Sequence, residues 1–173
     1  MTGRPVDPIR TARLMLRSMA QEDLDGYARL FADPEVVRFI ADGTTADATE
    51  TAEWLTRSLH RNEYEGFDRR SVVLADDGSL IGWCGIAVWG IEGAIERELG
   101  YVLARDRWGR GYATEAAAAM RDHARSALGL TRLIALIHRD NGASKRVARK
   151  LGMEYERDAE FHGRLVELFA LEP

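Results

Sequence analysis

Residues 98–116 constrain the fold of this chain more than any other segment. Their sequence is ELGYVLARDRWGRGYATEA, in which a strand-like segment leads through two glycines into an alanine-rich segment. Larger apolar residues alternate with small or charged ones over positions 98–103, the period of a strand with two different faces. The alanine-rich segment 115–127 favours a helix, and Gly129 supplies its end. The chain is therefore expected to join a strand and a helix at one tight turn.

The turn between this strand and this helix has the composition of an anion site. Gly109 and Gly111 lack a Cβ, so backbone N–H groups can converge there and approach an anion closely. The helix N-terminus adds unpaired N–H donors and roughly half a positive charge, and Arg105, Arg107 and Arg110 add mobile positive charge. We expect a phosphate or diphosphate site, with an ordinary strand-to-helix connection and a solvated arginine edge as the alternative.

Composition and charge exclude several classes of protein. The chain has 173 residues, of which 46% are apolar and 30% charged, with a formal net charge of −4. This length suits one globular domain, and the absence of a basic block argues against a general nucleic-acid binder. The single cysteine, Cys84, excludes an intramolecular disulfide and a cysteine-rich zinc site. The four histidines lack ligand spacing, so no metal is expected.

The sequence also bears on the location of the protein and on its domain boundaries. No apolar run approaches the length of a membrane span and no apolar signal region opens the chain, so we expect no membrane association and a cytoplasmic location. Residues 1–8 contain two prolines and are expected to form a flexible tail. Residues 9–173 are expected to form one domain, because no repeat or linker interrupts them.

Hydrophobic periodicity and turn signals predict the remaining elements. The expected strands are 13–17, 71–75, 80–89, 95–103, 132–138, 153–161 and 165–171. Asp-Asp-Gly at 76–78 predicts a hairpin between the second and third of them, and His-Gly at 162–163 a terminal hairpin between the last two. The expected helices are 21–31, a short one capped by Asp33, one from about 45 to 60, 115–127 and 141–150, with a loop over 62–70. The early strands form a meander and the later ones alternate with helices, so an α/β or α+β fold with a mixed sheet is expected.

Two common phosphate-binding motifs do not match. A P-loop needs a glycine followed by lysine, and no glycine here precedes a lysine. A dinucleotide fingerprint needs a third glycine or alanine where Thr114 stands, and an acidic residue about twenty positions later, where the sequence is LTRLI. A P-loop is excluded and a dinucleotide is not expected.

A third set of motifs fits more of the chain. WGRGYATEA at 108–116 lies between a strand and a helix, and NGAS at 141–144 opens a helix that ends with KLGM at 150–153. This order resembles the GNAT N-acetyltransferase superfamily, and within it the branch of the RimJ and RimL ribosomal-protein acetyltransferases. Four further segments resemble the same branch: TARLMLR at 11–17, ED at 22–23, DPEV at 33–36 and HGRLVELF at 162–169. The resemblance covers almost the whole chain.

The resemblance implies a fold and a co-substrate. It implies a single domain with a mixed, mostly antiparallel sheet, flanked by helices and splayed beside the motif-bearing strand, with acetyl-CoA as the acetyl donor. The pantetheine arm would run beside Val102 and Leu103 like an added strand. Trp108 stands where the superfamily motif begins with arginine or glutamine, so only the backbone cradle carries over there. The residues implied around the cofactor are Gly109, Arg110, Gly111 and Ala113 at the diphosphate, with Arg107, Thr114 and Asn141 nearby.

Transfer of an acetyl group to an amine requires that the amine be neutral when it attacks. An α-amino group, with a pKa of about 8, needs less help than a lysine at about 10.4, and a general base contributes roughly 10²–10⁴-fold. Glu98 is the expected base because it shares a strand face with Gly100 and Val102, and Glu96 is the second choice. The alternative for Glu98 is a surface ion pair with Arg97 or another arginine.

The resemblance also implies groups that handle the oxyanion and the thiolate. The N–H of Val102 is the expected oxyanion donor. Ser144 is the expected acid that protonates the departing thiolate, with Tyr155 as its rival. Helix capping by Asn141, with Ser144 in the first turn, explains both of these residues without a role in catalysis.

These observations predict an acetyl-CoA-dependent N-acetyltransferase that acts on a primary amine, in the first place the N-terminal α-amino group of a protein or peptide. A small-molecule amine such as an antibiotic is the alternative acceptor. The sequence is also compatible with a non-catalytic CoA-binding module on the same fold and with a nucleotide-binding regulator. The acceptor's identity and the oligomeric state, a homodimer included, stay open.

Overall fold

The structure, a computed structural model, describes residues 7–171. The expected flexible tail, residues 1–8, lies outside this range except for its last two positions. The strands are β1 (Ile9–Arg10), β2 (Leu14–Ser18), β3 (Asp68–Leu74), β4 (Leu80–Ile91), β5 (Ala94–Leu103), β6 (Leu133–His138), β7 (Glu154–Phe161) and β8 (Arg164–Leu171). The helices are α1 (Leu24–Phe31), α2 (Pro34–Val37), α3 (Ala48–Tyr64), α4 (Tyr112–Ser126) and α5 (Gly142–Lys150).

The strands form one mixed sheet in the order β1-β2-β3-β4-β5-β6-β8-β7. Neighbouring strands are antiparallel except for β5 and β6, which run parallel. On one face α4 and α5 pack around Met120 and Phe169, and on the other α1–α3 pack around Tyr27 and Leu55. The predicted α/β fold with a mostly antiparallel sheet is confirmed. Within residues 7–171, no helix has the length and apolar character needed to cross a membrane.

Most predicted elements are present, including both hairpins and the two side-chain caps. The loop expected over 62–70 is wrong at both ends, because α3 continues to Tyr64 and β3 begins at Asp68. Asn62 accounts for the difference: its Nδ2 donates to the Arg69 carbonyl (2.6 Å), and its Oδ1 accepts from the Arg69 N–H (3.0 Å). The side chain thus takes the place of a strand partner and lets helix and strand approach directly.

The sheet opens between the two parallel strands. Their register joins Glu98 to Ile134, with no other partner pair between β5 and β6 in the described chain. β5 nevertheless stays paired with β4 as far as Leu103, and β6 stays paired with β8 over its whole length. Each strand keeps its outer partner while the two diverge, so a fork opens between residues 99–103 and 135–138. This is the splay that the family resemblance implies.

Candidate active site

A cavity of about 850 Å³ lies in the fork and is walled by residues from α2 and α3 on one face of the sheet and from α4 and α5 on the other. Cationic side chains outnumber carboxylates in its walls. The carboxylates are Glu35 and Glu98, and the cations are Arg38, Arg57, Arg61, Arg69, Arg107, Arg146, Lys150 and Arg164. A wall of this charge attracts anionic ligands. In the part of the chain that the structure covers, no three His, Cys, Asp or Glu side chains lie together as a metal site would require.

The turn before α4 forms a cradle of backbone donors at one end of this cavity. Gly109 and Gly111 have φ values of +72° and +82°, a conformation that favours glycine. The N–H groups of residues 109–114 have no acceptor among residues 7–171. The cavity is lined by Gly109, Gly111, Ala113 and Thr114, and Arg107 contributes a guanidinium. Converging free N–H groups at a helix N-terminus fit the diphosphate of CoA.

The side chains of Arg107 and Arg110, both predicted at the cradle, are placed differently. The Arg107 Nε lies 3.1 Å from a carboxylate oxygen of Asp106. Arg110 is exposed and does not line the cavity, so its part in the cradle is its backbone N–H. Trp108, the departure from the superfamily motif, donates from Nε1 to the Leu103 carbonyl (2.8 Å). This bond ties the loop that carries Trp108 to the end of β5, so the tryptophan has a structural role there.

A brace between the N-terminal strands and α4 was not predicted from the sequence. The Glu115 carboxylate accepts from the Thr11 hydroxyl (2.6 Å), from the Arg13 N–H (2.9 Å) and from the Arg13 Nε (2.7 Å). The Arg13 Nη1 also donates to the Arg110 carbonyl (2.9 Å). Burial alone would raise the pKa of Glu115, but the bonds from Thr11 and Arg13 hold it below its ordinary value. The brace fixes the first turn of α4 and the cradle before it.

The backbone of β5 supplies donors to the fork. The Ala104 N–H donates to the Ile81 carbonyl (2.8 Å), and the β4–β5 register continues unbroken to the hairpin. Because residues of an antiparallel ladder alternate in direction, the Val102 N–H points toward β4, and those of Tyr101 and Leu103 point into the fork. Val102 as oxyanion donor is therefore wrong on geometric grounds. Its side chain lines the cavity, and the fork-facing N–H groups are the candidates for holding the pantetheine arm and the oxyanion.

The Glu98 carboxyl lies where the fork opens. Trp89 donates to it from Nε1 (2.6 Å), and the Leu136 N–H, on the opposite arm of the fork, donates to it as well. Burial raises the pKa of this carboxyl above its ordinary value, against the effects of the Trp89 bond and the charge of Arg69. No ion pair joins Glu98 to Arg97 in the described chain. The other arginine of that alternative is Arg69, whose charge acts on the carboxyl from the wall of the same cavity. A raised pKa at a cavity wall suits a group that accepts a proton near neutral pH.

Glu96, the second choice for the base, lies outside the cavity. It is 8% exposed, and Arg132 binds it with an N–O distance of 3.2 Å. Arg132 also binds Glu156 (3.0 Å), so the three charges form one network beyond the fork. This position argues against Glu96 as a base. Its ion pair with Arg132 instead gives the residue a structural role in the sheet.

Ser144 lies in the first turn of α5 and lines the cavity. The Asn141 Oδ1 accepts from the Ser144 N–H (3.1 Å), which is the predicted helix cap. The Tyr101 hydroxyl donates to the Ser144 Oγ (3.2 Å) and so links β5 to α5 across the fork. That bond leaves the Ser144 O–H available as a donor. Tyr101 had no sequence signal beyond the apolar alternation of its strand.

Tyr155, the rival acid, does not line the cavity. It lies on β7, is 53% exposed, and donates to Asp158 (3.3 Å). Its position argues against a role in protonating the thiolate.

Cys84 is fully buried and burial raises the pKa of its thiol, as expected for a structural cysteine.

Comparison with known proteins identifies the family to which this architecture belongs. The family model described as the acetyltransferase (GNAT) domain matches residues 13–154. The uncharacterized protein YkkB of Bacillus subtilis (strain 168) is 38% identical over 151 residues, which are 85% of each chain. The acetyltransferase from Agrobacterium tumefaciens str. C58 has a TM-score of 0.81 and 27% identity, and the match covers 97% of this chain and 95% of that one.

The predicted branch also has a counterpart among solved structures. RimL, described as a ribosomal L7/L12 alpha-N-protein acetyltransferase in complex with coenzyme A, has a TM-score of 0.78 and 19% identity, with 96% of this chain and 98% of that chain covered. At this identity the likeness is one of fold. The prediction of acetyl-CoA as co-substrate is confirmed at the level of the family. The chain belongs to the GNAT acetyltransferases, the family of enzymes that take their acetyl group from acetyl-CoA.

Proposed function

We propose that this protein transfers the acetyl group of acetyl-CoA to a primary amine, with the N-terminal α-amino group of a protein or peptide as the acceptor to test first. The position of Glu98 carries the proposal. Its carboxyl lies at the opening of the fork, in the wall of the cavity that begins at the diphosphate cradle. A base at this point is next to the space that an extended arm in the fork would reach.

The residues of the site divide the work of acetyl transfer. Acetyl-CoA supplies an acetyl group activated as a thioester. The N–H groups of residues 109–114 would hold its diphosphate, and those of Tyr101 and Leu103 would hold the arm. Glu98 would accept the proton that the amine loses as its nitrogen bonds to the acetyl carbon. As the carbon–sulfur bond breaks, Ser144 would give its proton to the sulfur and take the proton of the Tyr101 hydroxyl that donates to it (3.2 Å). Exchange with solvent then returns a proton to Tyr101 and removes the one held by Glu98.

The choice of an α-amino group has two supports. An α-amino group has a pKa of about 8 and is partly neutral near pH 7, so one carboxylate suffices as its base. RimL, which shares the fold, is described as an alpha-N-protein acetyltransferase. A small-molecule amine stays the alternative acceptor. The cytoplasmic location and the homodimer stay predictions.

Thiol release from acetyl-CoA tests the proposal directly. The purified protein would be incubated with acetyl-CoA and a panel of peptides with free N-termini, N-acetylated copies of the same peptides, and small amines. We expect thiol release with the free peptides and none with the acetylated copies, with mass spectrometry locating the acetyl group on the first residue. Turnover with small amines alone would overturn the choice of acceptor. Acetyl-CoA binding without turnover on any amine would favour the non-catalytic module.

A further inference from the structure

Arg69 is a buried cation without a polar partner on the wall of the cavity. The residue is 9% exposed and lines the cavity close to Glu98. None of its guanidinium nitrogens has a hydrogen-bond or ion-pair partner in residues 7–171, and its Nε is also shielded from solvent. The guanidinium instead lies against the rings of Trp83 (5.0 Å) and Phe67 (5.1 Å). The charge of Glu98 acts on this guanidinium, but no carboxylate contacts it in the described chain. Buried donors without an acceptor are costly to a fold, which points to a missing acceptor group.

A second unsatisfied donor lies beside it. The Trp83 Nε1 is buried without a hydrogen-bond partner in the described chain, and Trp83 lines the same cavity. Buried polar groups in native proteins are normally paired. A carboxylate has two acceptor oxygens and fits such a pair of donors. Because the Arg69 Nε and the Trp83 Nε1 are both shielded from solvent, a carboxylate would bind the guanidinium through its Nη groups and reach the indole N–H by a small shift of the ring.

The sheet surface between this pair and Glu98 carries no side chain. Arg69 is opposite Gly85, and Gly85 is opposite Gly100. A Cβ on Gly85 would overlap the backbone of Asp68 and Arg69, so packing requires that glycine, whereas Gly100 lines the cavity. A Cβ on Gly100 would lie 3.6 Å from the Trp83 ring and 3.9 Å from the Glu98 carboxyl carbon. These are ordinary contact distances, so the protein itself does not require glycine there. The bare floor leaves room for a ligand between Trp83 and Glu98.

We propose that the acceptor carries a carboxylate a few ångströms from its amine, and that Arg69 and Trp83 bind this carboxylate while Glu98 faces the amine. The inference rests on the proposed function and names its substrate class. Opposite charges then alternate along the site, from Glu98 through the ammonium and carboxylate to Arg69. Burial lowers the pKa of Arg69 to about 10, so the guanidinium is still cationic at neutral pH. Free amino acids and peptides that begin with Asp or Glu both supply this chemistry.

The test uses acceptor pairs that differ by one charge. Free amino acids are compared with their α-amides, and peptides beginning with Asp or Glu with those beginning with Asn or Gln. We expect kcat/KM to be roughly 10–100-fold higher for the member of the pair that carries the extra carboxylate, the worth of a charge-assisted hydrogen bond. A preference in the first pairs identifies free amino acids as the source, and a preference in the second identifies acidic N-termini. Equal kcat/KM in every pair would overturn the inference and leave the proposed function intact.

Variants of residues in the cavity wall distinguish a specific effect of Arg69 from the effect of the cavity's overall positive charge. Arg69→Gln is expected to abolish the preference by raising KM for the charged acceptors, while the affinity for acetyl-CoA is unchanged. Trp83→Phe, which removes only the indole N–H, is expected to reduce the preference in part. Arg57→Gln is the matched control, because Arg57 lines the same cavity but is 59% exposed and lies 3.6 Å from Glu53. A preference that survives Arg69→Gln would contradict the proposal.

Equilibrium binding keeps the inference testable without turnover. Calorimetry with CoA present would compare the same acceptor pairs on the wild-type protein and on Arg69→Gln. Tighter binding of the carboxylate member, lost in the variant, supports the inference even if no acceptor is acetylated, in which case the proposed function alone fails. Gly100→Ala should weaken both members of a pair, because its methyl group occupies the floor between Trp83 and Glu98. Equal binding of both members by the wild-type protein would count against the site.

Discussion

The indole Nε1 of Trp89 lies 2.6 Å from Oε2 of Glu98, and this bond fixes the carboxylate at the opening of the fork. The two residues lie on adjacent antiparallel strands close to the hairpin that joins them. A base must be held in position to be effective, and here a rigid ring on a central strand holds it. The bond also favours the charged form of the carboxyl and so limits the rise of its pKa.

Replacing Trp89 with phenylalanine should move the pH dependence of the reaction. The variant removes a hydrogen bond that lowers the pKa of Glu98, so the pKa rises further above its ordinary value. Because the base must be deprotonated, the acid limb of the profile of kcat/KM against pH moves to higher pH, and activity recovers at alkaline pH. The measurement is that profile for the wild-type protein and for Trp89→Phe. An acid limb at the wild-type position would show that Glu98 is not the titrating base.

Glu98→Gln should lower activity and raise stability at the same time. We expect kcat to fall roughly 10²–10⁴-fold, the usual worth of a general base, with unchanged affinity for acetyl-CoA. The folded state raises the pKa of Glu98, so it binds the proton more tightly than the unfolded chain does. Wild-type stability therefore falls as pH rises from the unfolded pKa through the folded one, and stays lower above it.

Glutamine carries no charge at any pH and lacks this cost. Denaturant unfolding should therefore find Glu98→Gln more stable than the wild-type protein above this pH window and equally stable below it. Glu96→Gln is the comparison, since it lies outside the cavity and loses an ion pair with Arg132 instead. Equal kcat in the wild-type protein and Glu98→Gln would exclude the proposed base.

Gly109→Ala should weaken the binding of acetyl-CoA beyond its effect on folding. Gly78→Ala is a matched control: the φ values are +72° and +71°, and an added Cβ meets no atom within 4 Å at either position. Each substitution should cost about 1–2 kcal/mol of stability through the left-handed conformation. Only Gly109 lies in the cradle, so calorimetry should find weaker acetyl-CoA binding in Gly109→Ala alone. Equal affinity in the two variants would show that the cradle does not hold the cofactor.

The motif-bearing turn and the order of elements could be predicted from the sequence because they depend on local patterns. Glycines at positive φ and a helix start leave a local signature, and so does the hairpin with its Asp-Asp-Gly turn. The direction of the Val102 N–H depends instead on the parity of the β4–β5 register, which one strand's sequence does not contain. Glu96 and Glu98 share a strand face, and only the divergence of β5 from β6 separates them.

The brace at α4 and the unpaired Arg69 were beyond sequence patterns for the same reason. Thr11 and Glu115 are 104 positions apart and meet through the sheet order. Arg69 lies in a segment whose polar composition suggests a loop, and its guanidinium is buried against the rings of Phe67 and Trp83, which only the folded sheet brings together. Local pattern located the cofactor end of the site, and tertiary structure was needed to locate the acceptor end.

Glu115→Ala should make the cradle less well fixed, although Glu115 itself lies outside the cradle. The variant removes three hydrogen bonds from Thr11 and Arg13, and we expect a loss of about 1–2 kcal/mol of stability together with weaker acetyl-CoA binding. The folded pKa of Glu115 is lowered, so its contribution is present above the unfolded pKa and is lost as pH falls through the folded one. Glu53→Ala, which removes an exposed helical pair, is the control and should change neither quantity. Unchanged stability and affinity in Glu115→Ala would refute the brace.

A crystal structure of the protein with bound CoA tests the central claim most directly. We predict that the diphosphate lies within hydrogen-bond distance of the N–H groups of residues 109–114, and that the pantetheine arm lies between β5 and β6 with its thiol near Ser144. A diphosphate held elsewhere, or a fork closed by side chains with the arm outside it, would contradict the proposed site.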